Sequence, residues 1–148
     1  NGAPKYFKLF KDTHNLELLV EPYEACFLNT EAPGPIIFTT SHLLEICKQI
    51  NNSPVVYLPT IEPLSEKTEN EIVNLLKRQE KCIAFEENSQ IGSCADKIFD
   101  IASAHGISIR MKKIGIPRKF CENYGNANDH RKALGISYEN VLEKINEL

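Results

Sequence analysis

Glu86-Glu87-Asn88 directly follows the apolar run Cys82-Ile83-Ala84-Phe85. Paired carboxylates are common equipment for acid–base chemistry. The carboxyl end of a strand is also where open α/β sheets place their ligands. Neighbouring residues of an extended chain point to opposite sides, however, so these two carboxylates do not converge on one substrate. One of them is placed to accept backbone N–H groups and orient a loop. Gly92-Ser93-Cys94-Ala95 then opens a helix. Free N–H groups at a helix N-terminus can hold an anion. The run has a single glycine and no lysine after it, so it matches neither a phosphate-binding loop nor a dinucleotide fingerprint. It reads as ordinary strand-to-helix packing. Lys5, Lys8 and Lys11 cluster around the strand-like residues 6–10. A lysine at a strand end can meet a phosphate as a point charge; on an edge strand it otherwise faces solvent.

His14, His42, His105 and His130 show no metal-ligand spacing. They read as surface groups, with His105 suited to the negative end of a helix. Without a Gly-x-Ser-x-Gly elbow, a serine hydrolase of the α/β type is not expected. The five cysteines are Cys26, Cys47, Cys82, Cys94 and Cys121. Their number is odd and no Cys-x-x-Cys pair occurs, which excludes zinc ribbons and thioredoxin-type redox motifs. Most lie in apolar runs, where a reduced thiol behaves as a small hydrophobe. That usage points to a cytoplasmic compartment.

These groups are positioned by alternating strand-like and helix-like segments. Residues 25–28, 35–39, 54–58, 82–86 and 107–111 read as strands. Ser41 is expected to cap a helix carrying Leu43, Leu44, Ile46, Cys47 and Ile50. Pro59 and Pro63 keep residues 60–64 extended. Ser65 caps a helix with Ile72, Leu75 and Leu76 on one face. A third helix begins near Gly92, buries Cys94, Ala95, Ile98, Ile101 and Ala102, and ends at His105-Gly106. Gly115-Ile116-Pro117 is expected to turn the chain away from the last strand. Two short helices follow, near residues 129–134 and 137–146. Three successive strand–helix units require parallel strands with right-handed crossovers. Helices on both faces then make an α/β fold, a three-layer αβα sandwich.

Composition agrees with that class. The chain has 148 residues, 42% apolar and 25% charged, with a net charge of −3. One domain of this size buries about 68–70% of its unfolded surface. A near-neutral balance gives no broad basic field, so neither a nucleic acid nor a membrane partner is expected. No run approaches the roughly 20 apolar residues of a spanning helix. The opening Asn-Gly-Ala-Pro-Lys lacks a basic start and apolar stretch, so no secretory leader is expected.

Five segments, in order, resemble the C-terminal part of the transketolase family of thiamine-diphosphate enzymes. Gly2-Ala3-Pro4-Lys5-Tyr6-Phe7-Lys8-Leu9 is similar to the Gly-Pro-x-Tyr-x-Arg-Leu strand that closes the family's pyrimidine-binding domain. Ile36-Ile37-Phe38-Thr39-Thr40-Ser41 resembles a strand ending in Ala-Thr-Gly-Ser. Leu58-Pro59-Thr60-Ile61-Glu62-Pro63-Leu64 is similar to Met-Pro-Thr-Ile-Lys-Pro-Leu and is the most specific match. Phe85-Glu86-Glu87-Asn88, then Gly92, resembles Val-Glu-Glu-His leading to Gly-Gly-x-Gly. Gly115-Ile116-Pro117-Arg118-Lys119-Phe120, then Gly125 and Leu134-Gly135-Ile136, resembles the Gly-Ile-Pro-Asp-x-Phe tail. Thr40, Asn88 and Gly92-Ser93-Cys94-Ala95 depart from the family's pattern, so the ligand roles suggested for that cleft are not carried over.

The resemblance implies a five-stranded, mostly parallel sheet with one antiparallel strand, at residues 26–28. It implies that residues 1–11 end a pyrimidine-binding domain, 12–24 form a linker and 25–148 form the C-terminal domain. It implies a parent enzyme that moves a two-carbon ketol unit between sugar phosphates. In that reading this domain has no catalytic residue and holds no cofactor. Thiamine diphosphate and a divalent metal such as magnesium sit in thiamine-binding domains of the same or a companion chain, within a homodimer. Lys11 falls where transketolases place an arginine that binds the sugar phosphate. Glu86, Glu87, Asn88 and Gly92 mark a cleft or interface. The tail resembles equally 1-deoxyxylulose-5-phosphate synthase and the β subunit of 2-oxo acid dehydrogenases. A stand-alone subunit-assembly module is the non-enzymatic reading.

Overall fold

The computed structural model describes residues 23–118 and 125–148. Five strands form one sheet: β1 (Cys26–Leu28), β2 (Ile36–Thr39), β3 (Val55–Tyr57), β4 (Lys81–Ser89) and β5 (Arg110–Ile116). Their order across the sheet is β1-β3-β2-β4-β5. The pairs β2–β3, β2–β4 and β4–β5 are parallel, and β1 runs antiparallel to β3 with Cys26 opposite Tyr57. The sheet has the strand number and the one antiparallel strand that the resemblance implied.

The central strands carry continuous apolar runs, residues 36–38, 55–57 and 82–85, because both of their faces are covered there. Ile36, Phe38, Val56, Cys82 and Ala84 face one core; Ile37, Val55, Tyr57, Ile83 and Phe85 face the other. Helices α2 (Glu66–Arg78) and α3 (Cys94–Ala104) cover the first face with Ile72, Leu75, Leu76, Ile98 and Ile101. Each such side chain contributes about 1.5–3 kcal/mol on burial. The second face is covered by α1 (Leu44–Cys47) and α5 (Tyr138–Asn146) through Leu44, Cys47 and Val141. A short α4 (Ala127–Ala133) precedes α5. This is the three-layer αβα sandwich.

Local signals explain most helix ends. The Ser65 hydroxyl accepts the Thr68 N–H at 3.1 Å and starts α2. Glu66 and Glu69 lie in its first turn, Lys77 and Arg78 in its last, which suits the helix dipole. The left-handed φ of +65° at Gly106 closes the turn after α3. Gly135, at φ +71°, separates α4 from α5.

Three boundaries differ from the sequence reading. Ser41 does not cap a helix. It takes a left-handed φ of +56° and begins a 3₁₀ turn (Ser41–Leu43) that leads into the single α-helical turn of α1. The segment then closes through tight bonds, Gln49 N–H to Ile46 O at 3.2 Å and Ile50 N–H to Cys47 O at 2.9 Å. The last strand begins at Arg110, opposite Lys81, rather than at Ile107. The alternation of Ile107, Ile109 and Met111 is real: all three pack against the α2–α3 core. The sheet ladder, however, starts only where β4 can pair. Finally, Gly115 and Ile116 extend β5 rather than turning out of it, because β4 itself runs on to Ser89, opposite Ile116. Gly115 has no room for a side chain; a Cβ there would lie 2.9 Å from Asn88 O.

Candidate functional site

The chain passes from β2 to β3 on one side of it and then crosses to β4 on the other. The carboxyl ends of β2 and β4 therefore flank the topological switch point, where open α/β sheets form a ligand crevice. Thr39 pairs with Phe85 in register. The next residues, Thr40 and Glu86, stand at the mouth of this crevice. Both are buried, and the Thr40 hydroxyl has no hydrogen-bond partner among the described residues.

Strand alternation sends Glu86 and Glu87 to opposite faces, as the sequence reading required. Glu86 turns toward α3. It is 2% exposed, and its Oε2 accepts the Cys94 N–H at 3.2 Å. It thus fills the position at which the N-terminus of α3 could have held an external anion. Glu87 turns toward α4 and pairs with Nε of Arg131, 44 residues away. Asn88 is exposed. Gly92 is exposed at φ +67°, and its N–H donates to Asp96 Oδ2 at 2.7 Å.

Asp96 is the hub of a second small network. Its Oδ2 also accepts the Ser93 N–H at 3.4 Å, and its Oδ1 meets Lys113 Nζ at 2.6 Å. Lys113 and the Gly92 and Ser93 N–H groups hold the Asp96 carboxyl below its ordinary value. Lys113 Nζ further donates to Gln90 O at 3.4 Å and lies 5.7 Å from the centre of the Phe99 ring. Glu86, Glu87 and Asp96 are therefore each engaged with a donor of this same chain. Such an arrangement locks the β4–α3 loop and docks α4; it offers no converging acid and base. Among the described residues, no group of three His, Cys, Asp or Glu side chains is placed to hold a metal ion.

The buried thiols Cys47, Cys82 and Cys94 are equally inert. Cys47 and Cys82 are buried, and burial pushes both up to about 12. Burial pushes Cys94 up too, with the Glu86 charge adding to it. A thiol in that state is not a nucleophile. Lys11, His14 and Cys121 lie outside the described residues. So do the whole of residues 1–11 and most of 12–24.

Glu86, Glu87, Asn88 and Gly92 thus lie close along the chain, but the fold separates their side chains between two faces. Asp96, Lys113 and Arg131 were missed in the sequence. The Ser93-x-x-Asp96 spacing carried a capping-box signal for the first. Nothing local marks Lys113 or Arg131, which arrive from 17 and 44 residues away.

Among the described residues, no helix is long and apolar enough to cross a membrane. No protein-family model matches the chain, and no curated protein matches it at a significant level. Among solved structures, a split-gene transketolase in an inactive beta4 tetramer is similar over 86% of this chain, with a TM-score of 0.72 and 18% identity. This chain spans less than half of that one, 43% of its length. The backbone likeness joins the strand order and the antiparallel β1, and the conclusion is structural: the chain has a transketolase-like α/β fold.

Proposed function

We propose that this chain is the C-terminal, largely non-catalytic domain of a transketolase-like enzyme. The parent transfers a two-carbon ketol unit between sugar phosphates in cytoplasmic carbohydrate metabolism. The observation that carries the reading is the fold match at TM-score 0.72 over 86% of the chain. The five ordered segments of the sequence support it. So does the self-paired state of Glu86, Glu87 and Asp96, which suits a domain that supports assembly rather than chemistry.

The described residues do not fit a thiamine diphosphate site. The sequence has no Gly-Asp-Gly segment, and the carboxylates at the switch point already serve backbone N–H groups and cations of this chain. In this proposal, thiamine diphosphate and magnesium bind upstream thiamine-binding domains, in the same chain or a companion, and the assembly is a homodimer of such units. Lys11 keeps its proposed role as a contact to the substrate phosphate.

Reconstitution tests the proposal. The chain is combined with the polypeptide encoded beside it that carries a Gly-Asp-Gly segment and an activating glutamate. Ketol transfer is then assayed with thiamine diphosphate and magnesium. Activity should need both parts, and Lys11→Ala should raise the Michaelis constant for a phosphorylated sugar. Calorimetry on this chain alone should show no thiamine diphosphate binding; micromolar binding would overturn the assignment. If no such companion or upstream segment is encoded, the stand-alone assembly module replaces it.

A further inference from the structure

A recess of about 550 Å³ lies between the 3₁₀ turn and α1 on one side and α4 and the start of α5 on the other. It is distinct from the Glu86–Cys94 contact, which lies on the opposite face of the sheet. Its volume falls in the range of about 300–1,000 Å³ typical of small-molecule sites. It opens beside the carboxyl end of β2, the edge of the crevice where such sheets bind ligands.

The lining has two characters. Ile46 and the ring of Tyr138, both part-exposed, form the apolar floor and wall of the recess, backed by the buried Leu43 and Ile136. Arg131 and Lys132 provide positive charge at the rim. Arg131 is held by two partners, Nε to Glu87 and Nη1 to Asn128 Oδ1 at 2.9 Å. A guanidinium has five donor hydrogens, and these contacts use two of them. The acidic side chain of the lining, Glu45, is engaged with Lys48 at 3.4 Å, and Glu87 balances the Arg131 charge, so the net positive charge of the rim comes from the exposed Lys132. An apolar floor below a rim that carries the Lys132 ammonium and the remaining Arg131 donors matches one class of guest. Ser41, with its left-handed backbone, begins the turn that backs this floor. Such strain persists where the surrounding fold over-determines it.

We propose that this recess binds a small organic anion with a flat apolar body, an aryl or heteroaryl phosphate or carboxylate. The body lies on Ile46 and Tyr138, and the anionic group meets Lys132 and the remaining donors of Arg131. The proposal rests on these side chains and not on the enzymatic reading above, so the two stand or fall separately.

The test is a titration of the ¹⁵N-labelled 148-residue chain with phenyl phosphate, followed by amide shifts. Saturating shifts should gather at residues 42–46 and 128–138. Benzyl alcohol, which lacks the charge, and inorganic phosphate, which lacks the ring, should each bind about tenfold more weakly. Lys132→Gln should weaken phenyl phosphate about fivefold, the order expected for one partly exposed charge. The amide spectrum of that variant reports its own fold, and the three-ligand comparison needs no variant. Scattered or non-saturating shifts would overturn the proposal. So would inorganic phosphate binding as tightly as phenyl phosphate, or a folded Lys132→Gln chain with unchanged affinity.

Discussion

Replacing Glu86 with alanine should loosen the amino end of α3. The side chain is 2% exposed, and its Oε2 accepts the Cys94 N–H at 3.2 Å. A hydrogen bond to a charged group contributes about 1.5–3 kcal/mol. A carboxylate at a helix N-terminus gains a further ~0.3–2 kcal/mol from the aligned peptide dipoles. Both gains vanish in Glu86→Ala, and the buried Cys94 N–H loses this acceptor. Against that, the alanine chain no longer takes a carboxylate out of water, which offsets part of the loss. The net destabilisation expected is about 2–3 kcal/mol. Glu86→Gln keeps the shape and an acceptor oxygen, so it should cost only about 1 kcal/mol. Urea unfolding followed by circular dichroism reads both. With a slope of about 1–3 kcal/mol/M, alanine should lower the midpoint by about 1 M or more, and glutamine by about half as much. An alanine midpoint equal to or above the wild-type value would refute the reasoning. The carboxylate would then be kept in the core at a net cost, and its purpose would be chemistry at the switch point rather than capping α3.

Three further outcomes follow from the geometry. Asp96 should titrate below its ordinary value of 3.8, because Lys113 and the Gly92 N–H favour its charged form. The native state then binds fewer protons than the unfolded one, so this stabilisation is complete above the ordinary value and is lost as pH falls through the lowered native one. Carboxyl NMR should place the Asp96 midpoint accordingly, and Asp96→Asn should flatten that part of the acid limb; a midpoint at or above 3.8 contradicts the network. Cys47, Cys82 and Cys94 should resist a thiol-specific disulfide reagent at pH 8 until the chain is unfolded in guanidinium, since burial raises all three. Reaction of any of them in the native chain at the rate of an exposed thiol would be the contrary result. Gly115→Ala places a Cβ 2.9 Å from Asn88 O, a backbone atom that cannot step aside. Overpacking of this kind costs about 1–3 kcal/mol, which calorimetry should register as a fall in Tm of several degrees.

The ends of β5 show what a one-dimensional pattern can and cannot tell. Ile107, Ile109 and Met111 alternate as a strand does, and they are packed against the core as that alternation implies. Burial is written in the periodicity. Ladder pairing is not, because it depends on where Lys81 to Ser89 of the neighbouring strand lies. Ser41 fails differently. A serine before an apolar turn is a sound capping signal. Here the chain must leave a buried strand end and drop onto the second face at once, and it does so through a left-handed residue and a 3₁₀ turn. Ser65, under no such demand, caps α2 as its position suggests.

The candidate site divides along the same line. That Glu86 and Glu87 face opposite ways followed from strand alternation alone. That one of them could accept backbone N–H groups and orient a loop was read from the same alternation. Their partners did not follow. Cys94 is eight residues from Glu86, whereas Arg131 is 44 from Glu87 and comes from a helix with no buried residue of its own.

By itself, then, the amino-acid sequence determined the layers. Apolar runs of four or five residues between amphipathic helices can be satisfied only by a sheet covered on both faces. The order of short segments already pointed to the transketolase-like arrangement. Tertiary structure alone decided which charges meet. Glu87 with Arg131, Asp96 with Lys113, and the recess between α1 and α4 exist because β4 lies beside β2 and the last two helices fold back across the second face. Local chemistry has no reach over such separations. Burial follows a periodic pattern that each segment carries within itself, whereas pairing at the site depends on distances that only the finished packing sets.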